Sequence, residues 1–175
     1  AIGILGPEGK GLSFDFSNCI SMITGTFGKS FGSGGAFIAC NSKIGEHLIQ
    51  TSGAFRYTTA LSPALAAGAL KSLEIIRNNK EWGPNLLTTS KTWKKELIRN
   101  FNYPVKGDCQ ILSIIIGQED KTMLLQKYLE KNGFLAVAIR PPTVPYGLSR
   151  IRITIRRPLG YEILKNFVDI LKNFK

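Results

Sequence analysis

The sequence predicts an α/β protein whose rear half is a compact α+β unit. Short apolar segments of strand length, such as Ile111 to Ile116, alternate with longer segments whose apolar residues recur at helical spacing. The closing segment, Leu159 to Phe174, sets Ile163, Phe167, Ile170 and Phe174 on one helical stripe. With 175 residues, 43% of them hydrophobic, the chain can bury a real core as one domain or two small ones.

Taken in order, Gly3, Gly6, Gly9 and Gly11 mark an opening loop. Cys19 to Thr24 and Ala36 to Cys40 read as strands flanking a glycine-rich segment. Lys43 to Thr51 reads as a helix, and Arg56 to Ser62 as an extended return. Ser62-Pro63 offers an N-cap and a proline at the first helical position. The helix it starts reaches about Asn78, with Leu65, Ala66, Ala69, Leu73 and Ile76 on one side. A second helix, about Pro84 to Asn100, aligns Leu86, Ser90, Trp93 and Leu97. Asn78-Asn79-Lys80 between them is the expected boundary, giving domains over residues 1–79 and 80–175. Beyond it come the strand Ile111 to Ile116, a helix from Glu119 to Asn132 and Gly133 as its C-cap. Strands Phe134 to Ile139 and Ser149 to Arg156 then flank a proline-rich loop before the closing helix.

Composition narrows the function classes. No apolar run approaches the ~20 residues of a membrane span, and Ala1 to Gly6 lacks the basic start and apolar length of a signal peptide. Absence of a methionine at position 1 fits a piece of a longer chain, although methionine removal before alanine would leave the same start. Cys19, Cys40 and Cys109 have no metal-ligand spacing, and with His47 as the one histidine there is neither a zinc site nor a Ser-His triad. A reducing cytoplasm is the simplest setting. The net charge of +11 permits nucleic-acid binding, but the lysines are dispersed along helices without interleaved aromatics, which favours a solvated surface.

The densest chemistry lies in Thr24 to Phe37, where Lys29 sits among Gly25, Gly28, Gly32, Gly34 and Gly35. Gly28-Lys29-Ser30 ends like a phosphate-binding loop, yet the leading glycine of that motif falls on Ile23. A dinucleotide fingerprint fails as well, because Phe37 stands where its last glycine belongs. Two readings remain: a lysine between strands that forms a Schiff base with a carbonyl cofactor, or a glycine-rich hairpin whose lysine points at water. In Ser149 to Ile155, period-2 alternation places Arg150, Arg152 and Thr154 on one face and Ile151, Ile153 and Ile155 on the other.

Ile23 to Gly32 resembles the cofactor-lysine segment of the α-oxoamine synthases, pyridoxal-phosphate enzymes that condense an amino acid with an acyl thioester. The resemblance continues through Tyr57 to Pro63, Ala138 to Pro145 and Ser149 to Arg152, along essentially the whole chain but about half the family's usual length. It implies part of the fold of that cofactor class: the C-terminal part of the large cofactor domain, then the small α+β domain. Lys29 is then the residue bonded to pyridoxal 5'-phosphate and the base at the substrate Cα. Thr26 contacts the cofactor, and Thr58 and Thr59 approach the phosphate of a neighbouring subunit, which implies a homodimer. Arg152 holds the amino-acid carboxylate, by two parallel hydrogen bonds. Arg140 and Thr143 lie in the Ile-Arg-Pro-Pro-Thr-Val-Pro loop, in contact with substrate or at its entrance; Arg150 reads as a surface or salt-bridge residue. That loop points to the branch that joins L-alanine to a pimeloyl thioester of CoA or acyl carrier protein. The family's aspartate at the pyridine nitrogen and its stacking histidine are expected upstream of residue 1, so the chain alone is expected to be inactive. A related synthase using glycine or serine, and a non-catalytic remnant, remain as alternatives.

Overall fold

A computed structural model describes residues 2–157 and 159–174; Ala1, Pro158 and Lys175 lie outside the described residues, and with them the two outer bounds of the expected domains. The chain divides into two compact units, the first ending at Pro84 and the second beginning at Asn85. The division falls later than Asn78-Asn79-Lys80 because Gly83 belongs to the first unit. A Cβ on Gly83 would stand 2.7 Å from the Ile4 carbonyl oxygen.

In the first unit, 3-10 turns at Pro7–Gly9 and Phe14–Cys19 precede strands β1 (Met22–Thr26) and β2 (Ala36–Cys40). The strand expected from Cys19 therefore begins at Met22. The Ile20 amide donates to the Ser17 carbonyl, a turn that the polar pair Ser17-Asn18 favours. The two strands pair antiparallel, Met22 opposite Cys40 and Thr26 opposite Ala36. Helix α1 (Ser42–Thr51) is capped by Asn41, whose side chain accepts from the Ile44 amide at 3.0 Å. Arg56 is not extended, as expected from sequence, but closes the one-turn helix α2 (Gly53–Arg56), which Ser52 caps. Helix α3 (Pro63–Asn78) starts at the proline as read from sequence, although Ser62 makes no side-chain cap bond. The apolar stripe of α3 forms in register, but only Ala69 on it is buried; Leu65 and Leu73 are each 39% exposed.

Helix α4 (Trp82–Asn100) leads into the second unit. There β3 (Val105–Lys106), β4 (Ile111–Gly117), α5 (Glu119–Lys131), β5 (Val137–Ile139), β6 (Ser149–Thr154) and α6 (Tyr161–Lys172) follow in order. The strands form an antiparallel sheet in the order β3-β4-β6-β5. Leu112, Ile114, Ile151 and Ile153 enter a core with Trp93, Leu97, Leu125 and Phe167. β5 is shorter than expected because Phe134 completes the end of α5. Its amide donates to the Leu129 carbonyl beyond Gly133 (φ 84), and its ring meets Phe167 edge-on at 5.0 Å. β6 likewise ends at Thr154 rather than Arg156.

As an edge strand, β5 would leave amides unpaired. Gln126 on α5 accepts from the Ala138 amide at 2.8 Å. Gln126→Ala is expected to cost about 0.5–1.5 kcal/mol, the net worth of one such bond, and to speed exchange of the Ala138 amide, both readable by denaturant titration and hydrogen exchange.

Candidate functional site

Lys29 occupies the β1–β2 connection, which is held from several sides. The Phe27 amide donates to Gly35 at 2.9 Å, the Ser33 amide to Phe27 at 2.9 Å, and the Gly32 amide to Lys29 at 2.9 Å. Gly32 (φ 57) and Gly35 (φ 96) adopt the left-handed geometry that such a loop requires. Phe27 packs on Phe31 and Phe37 at 5.3 and 5.4 Å, and Phe31 is buried. Ser33 Oγ donates to the Leu65 carbonyl and Ser72 Oγ to the Phe31 carbonyl, at 2.7 and 2.6 Å, so both hydroxyls fasten the loop to α3. Ser30 Oγ donates to the Ile2 carbonyl. With its neighbours anchored in this way, Lys29 itself remains exposed.

Thr26 and Lys29 line one cavity of about 550 Å³, together with Thr24, Ile23, Phe37 and Lys10. That volume lies in the range of small-molecule sites. Beneath it, a Cβ on Gly25 would come within 2.4 Å of the Phe37 ring and 2.9 Å of Ile2, so the glycine permits that close approach. Lys10 and Lys29 are the charged residues of the described lining, which makes the cavity attractive to anions.

Lys10 escaped the sequence reading, although Gly9-Lys10-Gly11 repeats the pattern of a lysine beside glycines. Glu8, at φ 53, sends its carboxylate to Lys80 at 2.5 Å and to Lys10 at 3.1 Å. Those hydrogen bonds, Lys80 first, hold the Glu8 carboxyl below the usual carboxylate range. A depressed carboxylate contributes its stabilisation above the unfolded-state value and loses it as pH falls through the lowered one. The Glu8 link to both lysines is therefore expected to release at a lower pH than that at which an unpaired glutamate takes up its proton; the side-chain carboxyl shift in an NMR titration reads this directly.

The two threonines singled out by the resemblance belong to the same unit as this cavity. Thr58 and Thr59 do not line it; Thr58 Oγ1 donates to the Ala54 carbonyl in α2, and both threonines are exposed. In the second unit, Arg140 pairs with Glu119 at 2.6 Å and its carbonyl accepts from the Thr143 amide at 3.0 Å. Arg150 Nε donates to the Leu148 carbonyl at 3.1 Å. Arg152 stands on the open face of the sheet, opposite Ser113 of β4 and Val137 of β5. Exposed, and with no hydrogen bond or ion pair among the described residues, it is the arginine of the three whose guanidinium is unspent.

Among the described residues no helix is long and apolar enough to cross a membrane. The family described as aminotransferase class I and II matches residues 6–163. The chain is 38% identical to the 8-amino-7-oxononanoate synthase 2 of Bacillus subtilis (strain 168), over 89% of this chain and 40% of that protein. It is 34% identical to the 8-amino-7-oxononanoate synthase of Hahella chejuensis, over 99% of this chain and 44% of that protein. Among solved structures, the serine palmitoyltransferase of Sphingomonas wittichii superposes with a TM-score of 0.89 at 22% identity, over 98% of this chain and 44% of that one. The 8-amino-7-oxononanoate synthase of Francisella tularensis superposes with a TM-score of 0.85 at 23% identity, over 98% and 51%. The chain thus spans less than half the length of the curated relatives it matches.

Proposed function

Because this chain belongs to the class I and II aminotransferase family, we propose that it supplies the lysine-bearing and carboxylate-binding parts of a pyridoxal-phosphate-dependent acyltransferase. The reaction is the decarboxylative condensation of L-alanine with a pimeloyl thioester of CoA or acyl carrier protein, giving 8-amino-7-oxononanoate for biotin synthesis. The observation that carries this reading is the placing of Lys29 and Thr26 in one cavity whose charged lining is cationic. The residues fit the cofactor: an amine suits its aldehyde, a hydroxyl its phenolate or phosphate oxygen, and a second ammonium, Lys10, its negative charge.

When bound, pyridoxal phosphate withdraws electrons from the amino-acid Cα. Lys29 would hold the cofactor through its amine, and the same amine would serve as the base that takes a proton from the substrate Cα and returns one. The bonds of Ser33 and Ser72 hold the loop backbone that carries Lys29, and a fixed backbone favours the orientation that such a transfer needs. Thr26, at the end of β1, would offer its hydroxyl to a cofactor oxygen. Arg152 orients the alanine carboxylate, and Arg140 and Thr143 border the acyl entrance, with Glu119 holding the Arg140 guanidinium. The unit that ends at Pro84 forms part of the large domain, and the unit that begins at Asn85 the small one. The assembled enzyme is a cytoplasmic homodimer in which Thr58 and Thr59 serve the partner's phosphate.

Product analysis of the assembled enzyme with alanine, glycine or serine and a pimeloyl thioester tests the assignment; a product from glycine or serine alone moves it to another α-oxoamine synthase. Arg152→Lys keeps the charge but loses the paired hydrogen bonds, and is expected to raise KM for alanine by about tenfold to a hundredfold. An unchanged KM removes Arg152 from the carboxylate.

A further inference from the structure

The opening loop closes on itself through its backbone. The Gly3 amide donates to the Gly9 carbonyl at 2.7 Å, the Gly11 amide to Leu5 at 2.9 Å and the Lys10 amide to Pro7 at 3.0 Å. Glu8 within it is the one non-glycine residue at positive φ among the described residues, a conformation that a glutamate rarely takes. Its side chain shows what that conformation achieves. One carboxylate oxygen lies 2.5 Å from Lys80, in the turn between α3 and α4, and the other 3.1 Å from Lys10. Arg77 of α3 lines the same groove as Glu8, Lys10 and Lys80, so Glu8 is the single carboxylate of that described lining amid three cations. Lys10 also stands 4.6 Å from the centroid of the Phe14 ring and lines the Lys29 cavity, whose described lining holds no carboxylate. Lys10 thus belongs to an ion pair and to a cavity wall at once.

We propose that Glu8 competes with an incoming phosphate monoester for Lys10 and so sets how tightly the Lys29 cavity holds that anion, while Lys80 draws the carboxylate away from Lys10. This rests on the reading of that cavity as the pyridoxal-phosphate site. An ammonium has three N–H donors but one charge, and a carboxylate beside it offsets that charge toward a second anion. Lys80 makes the shorter of the two Glu8 contacts and is the first cause of its lowered carboxyl range. By linkage, a bound phosphate loosens the Glu8–Lys10 pair as much as the pair weakens the phosphate. The three side chains are 39–61% exposed, so the effect is modest and sensitive to salt.

The test uses the assembled enzyme freed of cofactor, at low ionic strength, with dissociation constants from calorimetry. The probe is pyridoxine 5'-phosphate, which carries the phosphate but no aldehyde. Glu8→Gln is expected to tighten its binding by about two- to fivefold. Lys80→Met leaves Glu8 to Lys10 alone and is expected to weaken binding by a similar factor. In a Lys10→Ala background both changes are expected to vanish. High salt is expected to erase the differences between variants, whereas a mere disturbance of the loop would keep them. No tightening with Glu8→Gln, a tightening that persists without Lys10 or in high salt, or no binding of the probe by any variant would each overturn the proposal. The synthase assignment is decided separately, by product formation and by the label at Lys29, since these constants need neither a Schiff base nor turnover.

Discussion

Lys29→Ala in the assembled enzyme is expected to abolish covalent retention of the cofactor and to slow turnover by at least about 10²–10⁴-fold, the usual worth of a positioned proton-transfer group alone. The argument rests on how the lysine is presented. Its loop is fastened to α3 by Ser33 and Ser72 and stiffened by Phe27 stacking, so loss of the amine leaves the cavity wall intact. Lys29→Arg separates chemistry from charge: a guanidinium keeps the cavity cationic but does not add to a carbonyl. Both variants are expected to lose the pyridoxyl label that borohydride reduction leaves on the peptide containing position 29, whereas Lys10→Ala keeps it. A wild-type label on Lys10 in place of Lys29, or a Lys29→Arg enzyme with full activity, would end the assignment.

The second unit was largely legible from sequence because its patterns are local and mutually consistent. Alternation in Ser149 to Ile155 separated Ile151 and Ile153 from Arg152 and Thr154, and the burial follows that division. The stripe read for α6 put Phe167 inside, but Ile163 on it is 39% exposed, and the buried face runs through Leu164, Val168 and Leu171 instead. Boundaries slipped where a side chain answered to a neighbour rather than to its own segment. Phe134 looked like strand but finishes the α5 cap, and Arg56 looked extended but closes a turn set by Ser52. In the first unit, the periodicity of α3 correctly located a helix but not its burial. Periodicity reports which side is apolar, and says nothing of whether another layer lies against it. For the site, glycine spacing singled out Lys29, whereas Lys10 reaches the cavity through the fold of the opening loop, a long-range fact that no local pattern encodes. The family resemblance had already assigned Arg152, rather than Arg140 or Arg150, to the carboxylate; the structure adds the partners, Glu119 for Arg140 and the Leu148 carbonyl for Arg150.

The contrast between the units makes the second large effect. Phe167→Ala is expected to destabilise the second unit by about 3–5 kcal/mol. The ring is 2% exposed and meets Trp93 at 5.5 Å and Phe134 at 5.0 Å, so its removal opens a void bounded by two other aromatics and by helices that cannot collapse onto it without moving α6. Leu70→Ala removes an apolar side chain from α3, but one already 60% in water, and is expected to stay within about 0.5 kcal/mol in the isolated chain. Domains of this size hold about 5–15 kcal/mol in total, so the first change consumes a large share and the second almost none. Urea unfolding followed through tryptophan fluorescence reads both; with a slope of about 1–3 kcal/mol/M, Phe167→Ala shifts the midpoint by one molar or more. Equal shifts for the two variants would mean that Leu70 is covered in the isolated chain, contrary to its exposure.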